Sequence, residues 1–138
     1  MKIKQISIFL ENTAGRLAKV TKVLKENSVN LRAIMIADTA DFGILRVIVD
    51  EPEKALEALK TANFTTRTTE VLAVPVKDTV GSMHDMLELF EKNAINIEYI
   101  YASLERAGDT AIIIFKVENP AAGLKVLEKN GLTGIAKF

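Results

Sequence analysis

Apolar positions along the chain follow two rhythms, one of period two and one of period 3.6. Gln5 to Leu10 is β-branched and apolar and predicts a strand, and Glu11 to Gly15 carries turn chemistry. Leu17, Val20, Thr21 and Leu24 then fall at i, i+3, i+4 and i+7, one face of a helix that Asn27-Ser28 stops. Leu31 to Ala37 predicts a returning strand, Asp38 to Asp41 a turn, and Gly43 to Val49 a third strand. Asp50-Glu51-Pro52 starts a second helix, with proline in the first turn, where its missing N–H costs nothing. Ala55, Leu56 and Leu59 of that helix face the sheet, and the threonine-rich run Phe64 to Thr69 suits an edge strand.

The second half repeats the first. An offset of 66 pairs Asn12-Thr13-Ala14-Gly15 with Asp78-Thr79-Val80-Gly81, Asn27 with Asn93, Asn30 with Asn96 and Ile34 with Ile100. After a two-residue insertion, an offset of 68 pairs Val49 with Val117, Pro52 with Pro120, Leu56 with Leu124 and Leu59 with Leu127. The elements recur in the same order. Val71 to Val76 is a strand, Met83, Met86, Leu87 and Phe90 form a helical face, and Asn96 to Ala102 and Ala111 to Val117 are strands. Asn119-Pro120 starts the last helix, and Leu132 to Phe138 closes the copy as a strand. The division is residues 1–69 and 70–138, and with no Gly/Ser/Pro linker between them the copies are expected to form one rigid unit. Pro75 resists this reading. It falls in a central strand, where it removes a ladder hydrogen bond, and it predicts a bulge or an early strand end.

The fold class is therefore α+β, two ferredoxin-like βαββαβ modules with antiparallel sheets and helices on one face. That scaffold hosts many functions, so composition and sites must discriminate. Eighteen basic residues balance eighteen acidic ones, which leaves no basic surplus for nucleic acid. An RNA-recognition sheet needs stacking aromatics on its central strands, and the third strands here are largely aliphatic. The absence of cysteine removes disulfides, thiolate metal sites and cysteine nucleophiles, and the lone His84 sits beside the apolar helix face, where solvent suits it. Apolar runs such as Ala111–Phe115 are too short to span a bilayer. A cytoplasmic, non-enzymatic protein without cofactor or metal is expected, with no membrane or nucleic-acid partner.

The segment that carries chemistry is the loop before the first helix of each copy, together with the entry to the second strand. Copy one reads Glu11-Asn12-Thr13-Ala14-Gly15-Arg16-Leu17 and then Asn27-Ser28-Val29-Asn30-Leu31. Copy two reads Lys77-Asp78-Thr79-Val80-Gly81-Ser82-Met83 and then Asn93-Ala94-Ile95-Asn96-Ile97. In both, fifteen positions separate the glycine from the second asparagine. This pattern resembles the ACT domain family, regulatory modules that bind amino acids and related small ligands, and the resemblance covers essentially the whole chain twice. The proline that often precedes the family's glycine is Ala14 in one copy and Val80 in the other.

The resemblance implies side-by-side modules whose ligand sits where one loop meets the neighbouring module's second strand. The ligand-binding residues would then be Asn12, Thr13, Ala14, Gly15, Arg16, Leu17, Asn30 and Leu31, with Asp78, Thr79, Val80, Gly81, Ser82, Met83, Asn96 and Ile97 in the second copy. A homodimer and a client enzyme or regulator acted on in trans are also expected. Helix N-termini suit a carboxylate and glycine permits close approach, whereas Asp78 would repel a carboxylate ligand.

Each of these residues also has a plain structural use. Asn12 and Asp78 suit a helix cap or its turn, and Asn30 and Asn96 suit a left-handed turn. Tyr99 and Tyr101 share a strand face, Lys19, Lys22 and Lys25 a solvated helix face, and Leu17, Leu31, Ile36, Met83 and Tyr99 are candidates for a pocket wall. Two other functions remain open: a protein-docking module without small ligand, and an acylphosphatase-like hydrolase using Arg16 and Asn12.

Overall fold

The computed structural model describes residues 2–38 and 41–132. The elements run β1 (Lys2–Glu11), α1 (Arg16–Glu26), β2 (Leu31–Asp38), β3 (Phe42–Val49), α2 (Pro52–Thr61) and β4 (Thr65–Lys77). They continue with α3 (Ser82–Lys92), β5 (Ile97–Ala107), β6 (Thr110–Val117) and α4 (Pro120–Lys129). The closing strand expected at Leu132 to Phe138, and Thr39 and Ala40 of the expected turn, lie outside the described residues. The chain falls into two units, Lys4–Thr69 and, from Glu70 onward, the rest together with Lys2 and Ile3.

In the first unit β3 is the middle strand. It pairs antiparallel with β1 from Ile6↔Val47 to Glu11↔Phe42 and with β2 from Leu31↔Val49 to Asp38↔Gly43. Alternation then places Ile6, Ile8 and Leu10 on the same face as Leu45, Val47 and Val49. Val20 and Leu24 of α1, Ala55 and Leu59 of α2, and Phe64 close over that face. Leu17, expected with Val20 and Leu24, is instead 40% exposed. It stands in the first turn of α1, one turn before the buried Val20, beyond the reach of the core.

The second unit repeats this around β6, which pairs with β4 from Leu72↔Phe115 to Lys77↔Thr110 and with β5 from Ile97↔Val117 to Ala107↔Thr110. The register along β4 is unbroken through Pro75↔Ile112, and the strand continues to Lys77. Proline therefore marks neither a bulge nor a strand end. An unshifted ladder accommodates it where its nitrogen points away from the paired strand. The irregularities lie elsewhere, between Ile97 and Tyr99 and between Ala102 and Arg106 of β5, which runs further than its apolar stretch predicts.

The cores differ in content. Phe90 replaces Leu24 and Phe115 replaces Val47, and the two rings meet edge to face with centroids 5.3 Å apart. Ala55 of the first unit becomes Gly123, where an added Cβ would lie 2.9 Å from Leu72 Cδ1 and 3.3 Å from Val117 Cγ2. Both neighbours are fully buried, so neither can swing aside freely. Gly→Ala in a helix ordinarily gains about 1 kcal/mol. At position 123 overpacking, about 1–3 kcal/mol, offsets that gain. Gly123→Ala should leave the protein less stable or at best unchanged in urea titration, and a gain of about 1 kcal/mol would show that the contact relaxes.

Candidate functional site

The loop between β1 and α1 is shaped by a single backbone reversal. Gly15 is the N-cap of α1 with φ 85° and ψ −10°, and Gly81 is the N-cap of α3 with φ 89° and ψ −14°. No side chain caps either helix, so Asn12 and Asp78 do not serve as caps. The two loops are tied to the next strand by matching backbone bonds, Asn12 N–H to Asp41 O at 3.0 Å and Asp78 N–H to Asp109 O at 2.7 Å.

The second asparagines stand elsewhere. Asn30 N–H donates to Asp50 Oδ1 at 2.9 Å and Asp50 N–H to Asn30 O at 3.1 Å, at the far end of β3 from Asn12. An eight-residue strand separates the two asparagines, roughly 23 Å at 3.3 Å per residue. Asn96 accepts from Glu118 N–H at 3.0 Å at the end of β6, again far from the Asp78 loop. Within each unit the structure does not bring the two halves of the motif together. Nor are Asn30 and Asn96 the left-handed residues: Ser28 (φ 55°) and Ala94 (φ 53°) make those turns. Asn27 and Asn93 close the helices by donating from Nδ2 to Val23 O and Leu89 O.

A cavity of about 390 Å³ opens at the first loop. The end of β1 contributes Leu10 and Glu11, the loop Asn12 and Thr13, and the first turn of α1 Arg16 and Leu17. Ile36, Ala37 and Gly43 of β2 and β3 form the opposite wall. Of the residues expected to bind ligand, Asn12, Thr13, Arg16 and Leu17 meet here, whereas Ala14, Gly15, Asn30 and Leu31 do not line it. Arg16 is the distinctive member. Its guanidinium lies over the Phe64 ring, 5.2 Å from the centroid, and its Nε is buried with no hydrogen-bond acceptor. Contact with an aromatic face holds the guanidinium in place beside the cavity.

The second loop is different. Arg106 of β5 forms an ion pair with Asp78, both side chains well exposed, which offsets the repulsion the sequence assigns to Asp78. Thr79 and Ser82 hydroxyls bond each other, and Val80 is fully exposed. A cavity of about 420 Å³ in this unit takes Ser82 from the expected set, with Lys77, Asp85, Met86 and Thr110, but not Asp78, Thr79, Val80, Gly81 or Met83. Asn96 borders a separate cavity of about 530 Å³ with Asn93, Asn119 and Glu118; Ile97 lines none of these three.

Sequence reasoning missed Glu11, Gly43 and the placing of Phe64 against Arg16, whereas Ile36 was among its candidates for a pocket wall. His84 is exposed, and Tyr99 and Tyr101 stack with centroids 6.5 Å apart. Among the described residues no group of three or more His, Cys, Asp and Glu could hold a metal, and no helix is long and apolar enough to cross a membrane.

The chain matches, over residues 1–137, the family model described as an ACT domain pair. The chain belongs to the ACT domain family. Its similarity to protein BT0572 from Bacteroides thetaiotaomicron is high, with 36% identity and a TM-score of 0.92 over 98% of this chain and 92% of that one. The ligand-free regulatory subunit of aspartate kinase from Thermus thermophilus shares the ACT pair's fold, with 20% identity and a TM-score of 0.63 over 94% of each chain. The corresponding subunit from Thermus flavus has 17% identity and a TM-score of 0.59, again over 94% of each chain. No curated protein matches. The ACT family is a regulatory one.

Both glycine turns have open space around them, so a methyl group there meets backbone strain and no clash. Gly15→Ala and Gly81→Ala should each cost about 1–2 kcal/mol in urea unfolding. Gly15→Asn should cost less, because asparagine tolerates the left-handed region. Equal losses for alanine and asparagine would contradict that account.

Proposed function

We propose that this ACT pair is a regulatory protein that binds a free amino acid, and that the first loop is the binding site. The observation that carries this reading is Arg16, held against Phe64 beside a cavity that Glu11 and Asn12 also line. An α-amino acid presents a carboxylate and an ammonium a few ångströms apart. Arg16 offers the first a charge-assisted partner, reinforced by the positive end of α1. Glu11 offers the second its counter-charge, and the Asn12 side chain donates to one group or accepts from the other. A cavity near the small end of ligand pockets suits a metabolite of this size better than a nucleotide cofactor.

The comparison between copies supports one loop over the other. The repeat and the strand registers place Lys77 at the position of Glu11, Asp78 at Asn12 and Ser82 at Arg16. The second loop thus lacks both charges in the order a zwitterion requires. The regulatory reading also agrees with the ACT neighbours that are regulatory subunits of aspartate kinase. We further propose that the output is to a protein partner, since family membership and the cavity both describe binding and the loop offers no nucleophile paired with a base. Hydrolysis of the acylphosphatase kind gains no support, because Arg16 is stacked on Phe64 beside Glu11, whose charge opposes a phosphate.

A thermal-shift screen against the free amino acids and their precursors tests the proposal. A ligand at about a hundred times its dissociation constant adds roughly 2.7 kcal/mol, a shift of about 5 °C or more for a chain of this size. Arg16→Ala and Glu11→Gln should each weaken the response at least tenfold, while Ser82→Ala should not. If no amino acid or precursor moves the melting temperature, the sensor reading fails and protein docking without a small ligand takes its place.

A further inference from the structure

The polar members of the first cavity account for the two charged groups of an amino acid but leave the opposite wall unexplained. That wall, Ile36, Ala37 and Gly43, is apolar throughout, and Leu17 of α1 lines the same cavity. Leu17 and Ile36 are 40% and 51% exposed, so each offers apolar surface to whatever fills the cavity. Gly43, beside Ile36, is buried on β3 opposite Leu10.

Its surroundings explain the wall's shape. A Cβ at position 43 would lie 3.4 Å from Ile36 Cδ1 and 3.6 Å from Ile36 Cγ1. Ile36 therefore lies against the glycine, and both line the cavity. Register places Ala111 at the corresponding position of the second unit and Ala102 at that of Ile36. The glycine with a long aliphatic chain folded across it is thus peculiar to the loop that carries Arg16 and Glu11.

We infer that the ligand of this site is an amino acid with an aliphatic side chain, seated on Leu17 and Ile36, and that Gly43 sets how large that side chain is. The inference rests on the proposed amino-acid site and narrows it. A charged or amide side chain in this place would lose water against leucine and isoleucine with no partner to replace it. An aliphatic chain covers the two half-exposed residues and removes apolar surface of its own.

The test is calorimetric titration of the intact protein with glycine, alanine, valine, leucine, isoleucine, aspartate, glutamine, lysine and phenylalanine. Leucine, isoleucine or valine should bind tightest. Gly43→Val, which lifts Ile36 into the cavity, should weaken the branched ligands at least tenfold and alanine less than threefold. Ile36→Phe fills the same space from a half-exposed position and should act the same way even where Gly43→Val does not fold. Tightest binding of a charged, amide or aromatic amino acid, weakened by Arg16→Ala, would overturn the inference and leave the amino-acid site standing. Uniform weakening of every ligand by Ile36→Phe would overturn it too, since the wall would then be blind to side-chain size. Binding of none of the nine overturns this inference, while the proposed function stands or falls on the full screen of amino acids and precursors.

Discussion

Strand β3 is hydrogen-bonded along both edges, and one of its faces lies beneath α1 and α2. Nearly everything placed in that half of the chain depends on this double constraint. The pairing with β1 and β2 fixes the register, and a slip of one residue would turn Leu45, Val47 and Val49 away from the core. The ends of the strand then fix the loops. Asp41 at its start receives the Asn12 amide, and Asp50 at its end exchanges bonds with Asn30. The position of Gly43 relative to Leu10 and Ile36 is likewise a matter of register, so the cavity floor is set by backbone pairing and is independent of loop conformation.

Around the matching strand β6 the same plan is filled with different side chains. Two phenylalanines occupy positions held by leucine and valine, Met86 stands where Val20 does, and the helix opposite gives up a methyl group at Gly123. Interiors are packed to crystal-like density, so added volume in one layer has to be removed from the next. The loops diverged further than the cores. Their backbones superimpose in φ and ψ at Gly15 and Gly81, yet one presents a stacked arginine and a cavity acid and the other an exposed ion pair.

Local periodicity carried most of the fold. Two repeats of strand, helix, strand, strand and helix were legible because side chains alternate on strands and recur every 3.6 residues on helices. The glycine turns were legible because they stand between a strand and a helix in both copies. What periodicity does not carry is where an element overhangs its neighbours, which is why it groups Leu17 with the buried Val20 and Leu24, although Leu17 was also a candidate for the pocket wall that it forms. Contacts distant in sequence were equally invisible. Nothing near Arg16 announces Phe64, nothing near Asp78 announces Arg106, and the separation of Asn12 from Asn30 appears only once β3 is threaded between them. The motif spacing was read correctly along the chain, but it described two ends of a strand, not one pocket within a module.

The exchange of Ala55 for Gly123 has a bearing on how such a chain folds. A duplicated sequence carries a standing hazard, because each helix meets two sets of strands with the same order while the chain collapses, and misassembly is the characteristic failure of repeats. Here the alternatives are unequal. The methyl group of Ala55 would collide with a partner shaped like Leu72 and Val117, and Gly123 laid on the first sheet would leave a gap where Ala55 belongs. Small differences in side-chain bulk thus make each helix fit its own strands better than those of the other copy.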